Sequence, residues 1–154
     1  MSKVEELVKT LKERYGDDLL IFEQRRWWVV KPRHYLGEKF KEIAELIKQD
    51  AYWDGLHKEW HIEKNDYEWI SARRFKIKEK LLDKDFFEKK SACLKFVGRE
   101  GCFLYFEITW DMIVKSGWSA QDVVKFLEKY VSVPFETKFW LEGLERSRQG
   151  VAEK

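Results

Sequence analysis

Ala51-Tyr52-Trp53-Asp54-Gly55-Leu56-His57-Lys58-Glu59-Trp60-His61-Ile62 sets a turn dipeptide between two alternating flanks. Asp-Gly marks a tight reversal, and alternation puts successive side chains on opposite faces of a strand, so the stretch reads as a β-hairpin. Upstream, residues 37–49 show helical period, with Phe40, Ile43, Ala44 and Ile47 on one stripe and Lys39, Lys41, Glu42 and Lys48 on the other. Before that, residues 19–23 and 27–31 read as strands around residues 24–26, and Pro32 ends the second. A helix opens the chain. Ser2 with Glu5 forms a capping box, Val4, Leu7, Val8 and Leu11 recur at helical spacing, and Gly16 stops it.

Beyond the hairpin, Asn65 with Glu68 repeats the capping-box pattern and predicts a helix running through Ile70 toward Leu82, broken near Phe75. Asp85 is expected to cap a short turn holding Phe86 and Phe87. Residues 91–97 and 102–110 read as strands around Gly98-Arg99-Glu100-Gly101. Helices follow over residues 111–115, stopped by Gly117, over 120–131, capped by Ser119 with Asp122, and over 135–148 after Pro134. The expected order is α, ββ, α, ββ, α, ββ, ααα. That is an α+β fold: an antiparallel-rich sheet of hairpins with helices packed over it, and a helical C-terminal third. Residues 1–110 are expected to form the binding core and residues 111–154 a helical segment for packing or oligomerisation, together one compact domain.

Composition narrows the function classes. The 154 residues suit a single core. Aromatics make up 16% of them, including 8 Trp, more indole than a core this size needs, so some rings are candidates for a surface. Net charge is only +2, so any affinity for nucleic acid must come from uneven placement of charge. Placement is uneven. Arg25, Arg26, Lys31 and Arg33 lie in a stretch without a carboxylate, and residues 73–80 carry five cations and one acid. Charged residues reach 38% with a single Asn, Asn65, the balance of a thermophilic protein. No apolar run has the length of a membrane span and residues 1–5 do not open a signal peptide, so a soluble, cytoplasmic protein with no membrane partner is expected.

Catalytic and metal chemistry find little support. His57 and His61 are four apart but fall on a strand, with Lys58-Glu59-Trp60 between them rather than the Glu-x-x of a zinc-protease helix, and Cys93 and Cys102 lack metal-type spacing. The cysteines flank a turn; buried thiols are expected ahead of a cross-strand disulfide. Asp17-Asp18 and Asp83-x-Asp85 sit where helix termini explain them. No Walker loop, Gly-rich dinucleotide turn or Gly-x-Ser-x-Gly elbow occurs. The expectation is a protein that is not an enzyme, with no metal and no cofactor.

The recurring constellation is basic and aromatic. Trp27 and Trp28 stand among Arg25, Arg26, Lys31 and Arg33; Tyr52, Trp53 and Trp60 with His57, Lys58 and His61; Trp69 and Phe75 with Arg73, Arg74, Lys76 and Lys78. Rings supply flat apolar faces for bases, and cations supply charge for phosphates. Alternation sends Trp27 and Trp28 to opposite faces, so either the sheet is covered on both sides or one ring faces a groove. Trp28, Trp53 and Trp69 are the leading choices for stacking. Trp60 with Ile62, and Phe106 with Ile108, read as core.

One further pattern carries a resemblance. Trp28-Val29-Val30-Lys31, then Phe40-Lys41-Glu42-Ile43, then the hairpin's Tyr-x-Asp-x-x-x-Lys-x-Trp-x-Ile resembles the small nucleic-acid-binding modules of annealing helicases. In length, organisation and composition the whole chain is similar to the ThermoDBP-related family of archaeal single-stranded DNA-binding proteins. The resemblance implies bases held in a cleft between sheet and helices, and self-association as a dimer or tetramer. It points to the aromatics and cations of residues 25–33, 52–61 and 69–78. The chain departs from the family's C-terminal leucine zipper, since Phe139, Trp140, Leu141 and Leu144 give one short apolar stripe. The expected function is sequence-tolerant binding of single-stranded DNA, with RNA also accepted. A protein-interaction module and a nuclease accessory subunit are the competing readings.

Overall fold

The computed structural model describes residues 2–152. Among the described residues the fold is α+β, with six α-helices and eight strands in two four-stranded antiparallel sheets rather than a single sheet. The chain forms two compact units. The first runs to Asp66 and includes Glu100–Cys102; the second holds Tyr67–Arg99 and continues from Phe103.

The first unit contains α1 (Lys3–Tyr15), β1 (Leu19–Glu23), β2 (Trp27–Pro32), α2 (Lys39–Ile47), β3 (Ala51–Asp54) and β4 (Glu59–Glu63). Its strands lie in the order β1-β2-β4-β3. Ser2 caps α1, its hydroxyl accepting from the Glu5 N–H at 3.1 Å. Register sets Trp28 opposite Ile62 and Val30 opposite Trp60. On that face Val30, Trp60, Ile62 and Leu19 meet Val8 and Leu11 of α1 and Ile43 and Ile47 of α2. Each such side chain contributes about 1.5–3 kcal/mol when fully withdrawn from water.

The hairpin over residues 51–62 forms as its sequence predicts, with a detail the dipeptide did not reveal. The Asp54 carboxylate accepts from the N–H groups of Leu56 (3.0 Å) and His57 (3.2 Å). The left-handed position falls on Lys58, at φ 53°, and not on Gly55. Asp54 therefore nucleates the reversal by binding backbone ahead of it.

The second unit contains β5 (Tyr67–Trp69), β6 (Arg74–Lys78), α3 (Lys84–Lys89), β7 (Leu94–Glu100), β8 (Phe103–Ile108), α4 (Trp110–Ser116), α5 (Ala120–Glu128) and α6 (Phe135–Ala152). Strand order is β5-β6-β8-β7. Its core joins Phe75 and Ile77 of β6 and Leu104 and Phe106 of β8 to Phe86, Val123, Phe126 and Leu141 from the helices.

The helix expected from Asn65 toward Leu82 is instead the β5–β6 hairpin. Arg74-Phe75-Lys76-Ile77-Lys78 alternates with period two, and Phe75 and Ile77 pair with Phe106 and Leu104. Burying two large apolar side chains in a sheet outweighs a capping pattern worth about 1 kcal/mol. Asp83, not Asp85, caps α3. Cys93 and Cys102 are buried and not joined in a disulfide, and burial pushes the Cys93 thiol up to about 12. No helix of the described residues is long and apolar enough to cross a membrane.

Two positions test these local arguments. Gly101 has φ +57°, and a Cβ there would lie 2.2 Å from the Tyr52 Cβ. Gly101→Ala should lower stability by about 2–4 kcal/mol, read from the urea midpoint. The Asp83 carboxylate accepts from the Tyr130 hydroxyl (2.7 Å) and the Phe86 N–H (2.9 Å). The Tyr130 bond, then the Phe86 bond, holds its carboxyl below the ordinary 3.8. A lowered folded pKa stabilises fully above the ordinary value, and that contribution vanishes as pH falls through the folded one. Asp83→Asn should therefore flatten the acid limb of stability against pH.

Candidate nucleic-acid interface

The pleat of β2 decides which aromatic goes where. Trp28 and Val30 turn toward α1 and α2, whereas Trp27, Val29 and Lys31 turn to the opposite face. On the helix side, Trp28 packs against the core, with the Nζ atoms of Lys12 and Lys64 at 5.3 and 5.8 Å from its ring centroid. It also lines a cavity of about 490 Å³ with Lys9 and Lys12, but Glu5, Glu13 and Glu23 share that lining. Those carboxylates offset the lysines and disfavour an anion there. Trp53 is 38% exposed at the β3 edge, edge-on to Phe40 and Trp60 with centroids 5.0 and 4.8 Å away.

The outer face of this sheet has two halves. On β4 and β3, His61 is buried and stacks on Trp27, ring centroids 4.6 Å apart and planes 9° from parallel. His61 Nε2 lies 2.7 Å from the Glu59 carboxylate, and its Nδ1 lies 2.7 Å from the Tyr52 hydroxyl. A carboxylate only accepts, so Nε2 carries the proton; in the neutral ring Nδ1 then accepts from Tyr52. Cross-strand from Glu59, the Asp54 carboxylate bonds His57 Nδ1 at 2.8 Å. That side-chain bond, seconded by the His57 backbone N–H, holds Asp54 below the ordinary carboxylate range. His61, held by Glu59 and Tyr52, braces one face of Trp27.

On β1 and β2 the outer face is partly open, with Val29 buried at its centre. Leu20 pairs with Lys31 and Phe22 with Val29, and Leu20 and Phe22 remain 41% and 40% exposed. Trp27, half-buried, lies diagonal to Phe22. Arg25, in the β1–β2 turn, and Lys31 are exposed and make no ion pair among the described residues. Arg33 spends its Nε on the Leu19 carbonyl at 3.0 Å. Arg26 is exposed in the β1–β2 turn, and Lys58 stands exposed in the hairpin loop.

The remaining sequence-chosen residues lie in the second unit. Trp69 donates its Nε1 proton to the Ser132 carbonyl at 2.7 Å and packs on Phe75, which is buried in the core. Alternation sets Arg74 and Lys76 on the other face of β6. There Arg74 pairs with Glu107 at 2.7 Å, and Lys76 lies 3.6 Å from Glu68 and over the Phe103 ring. Arg73 sits over Trp140, 4.6 Å from its centroid.

Leu20 and Phe22 are the surface residues the sequence reading passed over. Their signal was the alternation of Leu19-Leu20-Ile21-Phe22, which sends one apolar pair to each face. Among the described residues no group of His, Cys, Asp or Glu side chains is arranged to hold a metal ion. No protein-family model matches this chain, and no characterised protein or solved structure matches it.

The His61 contacts yield a direct test. His61→Phe keeps a flat ring under Trp27 but leaves the Tyr52 hydroxyl and the Glu59 carboxylate without that partner. Stability should fall by about 2 kcal/mol, seen as a lower urea midpoint at unchanged slope.

Proposed function

We propose that the protein is a non-enzymatic, sequence-tolerant binder of single-stranded DNA that also accepts RNA, in the manner of the ThermoDBP-related proteins. The observation that carries this reading is the shelf of Phe22, Leu20 and Trp27 on one sheet face, with Lys31 and Arg25 beside it. A base stacked on an exposed ring gains about 1–3 kcal/mol whatever its identity, which suits tolerance of sequence. Phe22 and Trp27 supply the ring faces in this reading, Lys31 and Arg25 meet backbone phosphates, and the His61 row beneath Trp27 keeps the shelf rigid. Trp28, set among the helices, supports the sheet from its other side.

A protein-interaction surface is the second reading, favoured by the exposed aliphatic Leu20 in the same patch. Fluorescence titration of a labelled single-stranded oligonucleotide at two salt concentrations separates the two. Affinity should fall steeply with salt, and Arg25→Ala and Lys31→Ala should each reduce the log–log slope by about 0.7. Phe22→Ala should weaken binding by about 1–3 kcal/mol with the slope unchanged. Absence of binding at low salt, or equal affinity for duplex, overturns the proposal.

A further inference from the structure

The cations of residues 73–78 do not act as a block. Arg74 and Lys76 are paired with carboxylates, and Lys78 is fully buried. Arg73 is exposed, makes no ion pair among the described residues, and sits over the Trp140 indole. Its position is set from two sides. The Arg73 carbonyl accepts from the Ile108 N–H at 2.7 Å, and the buried Thr137 hydroxyl of α6 donates to the neighbouring Ala72 carbonyl at 2.7 Å. Arg73, Glu136, Phe139, Trp140, Gly143 and Leu144 line a groove of about 660 Å³.

Two features suit this groove to a planar, anionic ligand. Phe135 and Phe139 on α6 are 80% and 59% exposed and stack on each other, centroids 6.0 Å apart and planes 27° from parallel. A Cβ on Gly143 would meet nothing within 4 Å, so the helix surface beside them is open. A guanidinium set over an indole keeps in-plane N–H donors available for a phosphate. Ring faces beside an exposed guanidinium match a nucleotide's base and phosphate, whereas an acidic or aliphatic peptide would use only half of the site.

We infer that the second unit carries its own single-stranded nucleic-acid site, with Arg73, set over Trp140, holding a phosphate and Phe139 offering a stacking face. This rests on the reading of the protein as a single-strand binder, and adds that each chain holds two separate short segments.

The test is calorimetric titration of the full chain with oligothymidylate of about six nucleotides, near the short end of single-strand site sizes. The wild-type chain should bind two oligonucleotides. Arg73→Ala and Phe139→Ala, both surface changes, should each remove one of the two sites or weaken it about tenfold or more, and Arg73→Lys should restore it only in part. Phe22→Ala should weaken only the other site, and the Phe22→Ala, Arg73→Ala double variant should bind weakly at both. A stoichiometry of one that is lost in Phe22→Ala and untouched by Arg73→Ala overturns the inference and leaves the first site standing. A stoichiometry of one lost only in Arg73→Ala overturns the first site instead. No binding by the wild-type chain overturns both. A change in sedimentation mass on Phe139→Ala with two oligonucleotides still bound assigns the α6 face to a protein contact and overturns the inference.

Discussion

Everything in the first unit depends on the register of β2. It is hydrogen-bonded on both sides, to β1 and to β4, so its pleat cannot rotate without breaking two ladders. A slip of one residue would drive Trp27 and Lys31 under α1 and α2 and expose Trp28 and Val30. The neighbours oppose that slip. Val30 and Ile62 are fully buried against the helices, and Trp27 is matched to His61 on the other face. An apolar demand on one side and a ring-on-ring match on the other therefore specify the same register.

Part of the charge in this chain is neutralised locally. Lys39 meets Asp18, Lys64 meets Glu23, Arg99 meets Glu79, and Arg74 meets Glu107. Exposed pairs of this kind add little stability each, but they neutralise the surface over which they lie. With a net charge of +2, the places where cations lack partners matter more than the total. Arg25 and Lys31 in one unit, and Arg73 in the other, are such places, and each adjoins exposed rings.

Much of the fold was legible in the sequence because its signals were strong and local. The hairpin of residues 51–62, the capped α1 and the Phe40–Ile47 stripe of α2 each follow from spacing within about a dozen residues. The β5–β6 hairpin was missed because Asn65 and Glu68 mimic a helix start, while the partners that make Phe75 and Ile77 strand residues lie some thirty positions away in β8. The same distance hid the site's charge balance. The carboxylate of Glu107 faces Arg74 only once β6 and β8 are paired. Phe22 was invisible for another reason: β1 is apolar on both faces, so composition gives no contrast between inside and outside. Even the doublet that alternation did resolve, Trp27 and Trp28, needed the helices to say which side was which.

The burial of Cys93 has a consequence for how the second unit can be observed. Its side chain is fully enclosed and its thiol is pushed up to about 12, so almost no thiolate exists at neutral pH and no reagent reaches the sulfur in the closed state. Alkylation there must wait for the surrounding elements to part. The rate at which this sulfur is labelled is then a clock for opening of that core, built into the chain without any introduced probe.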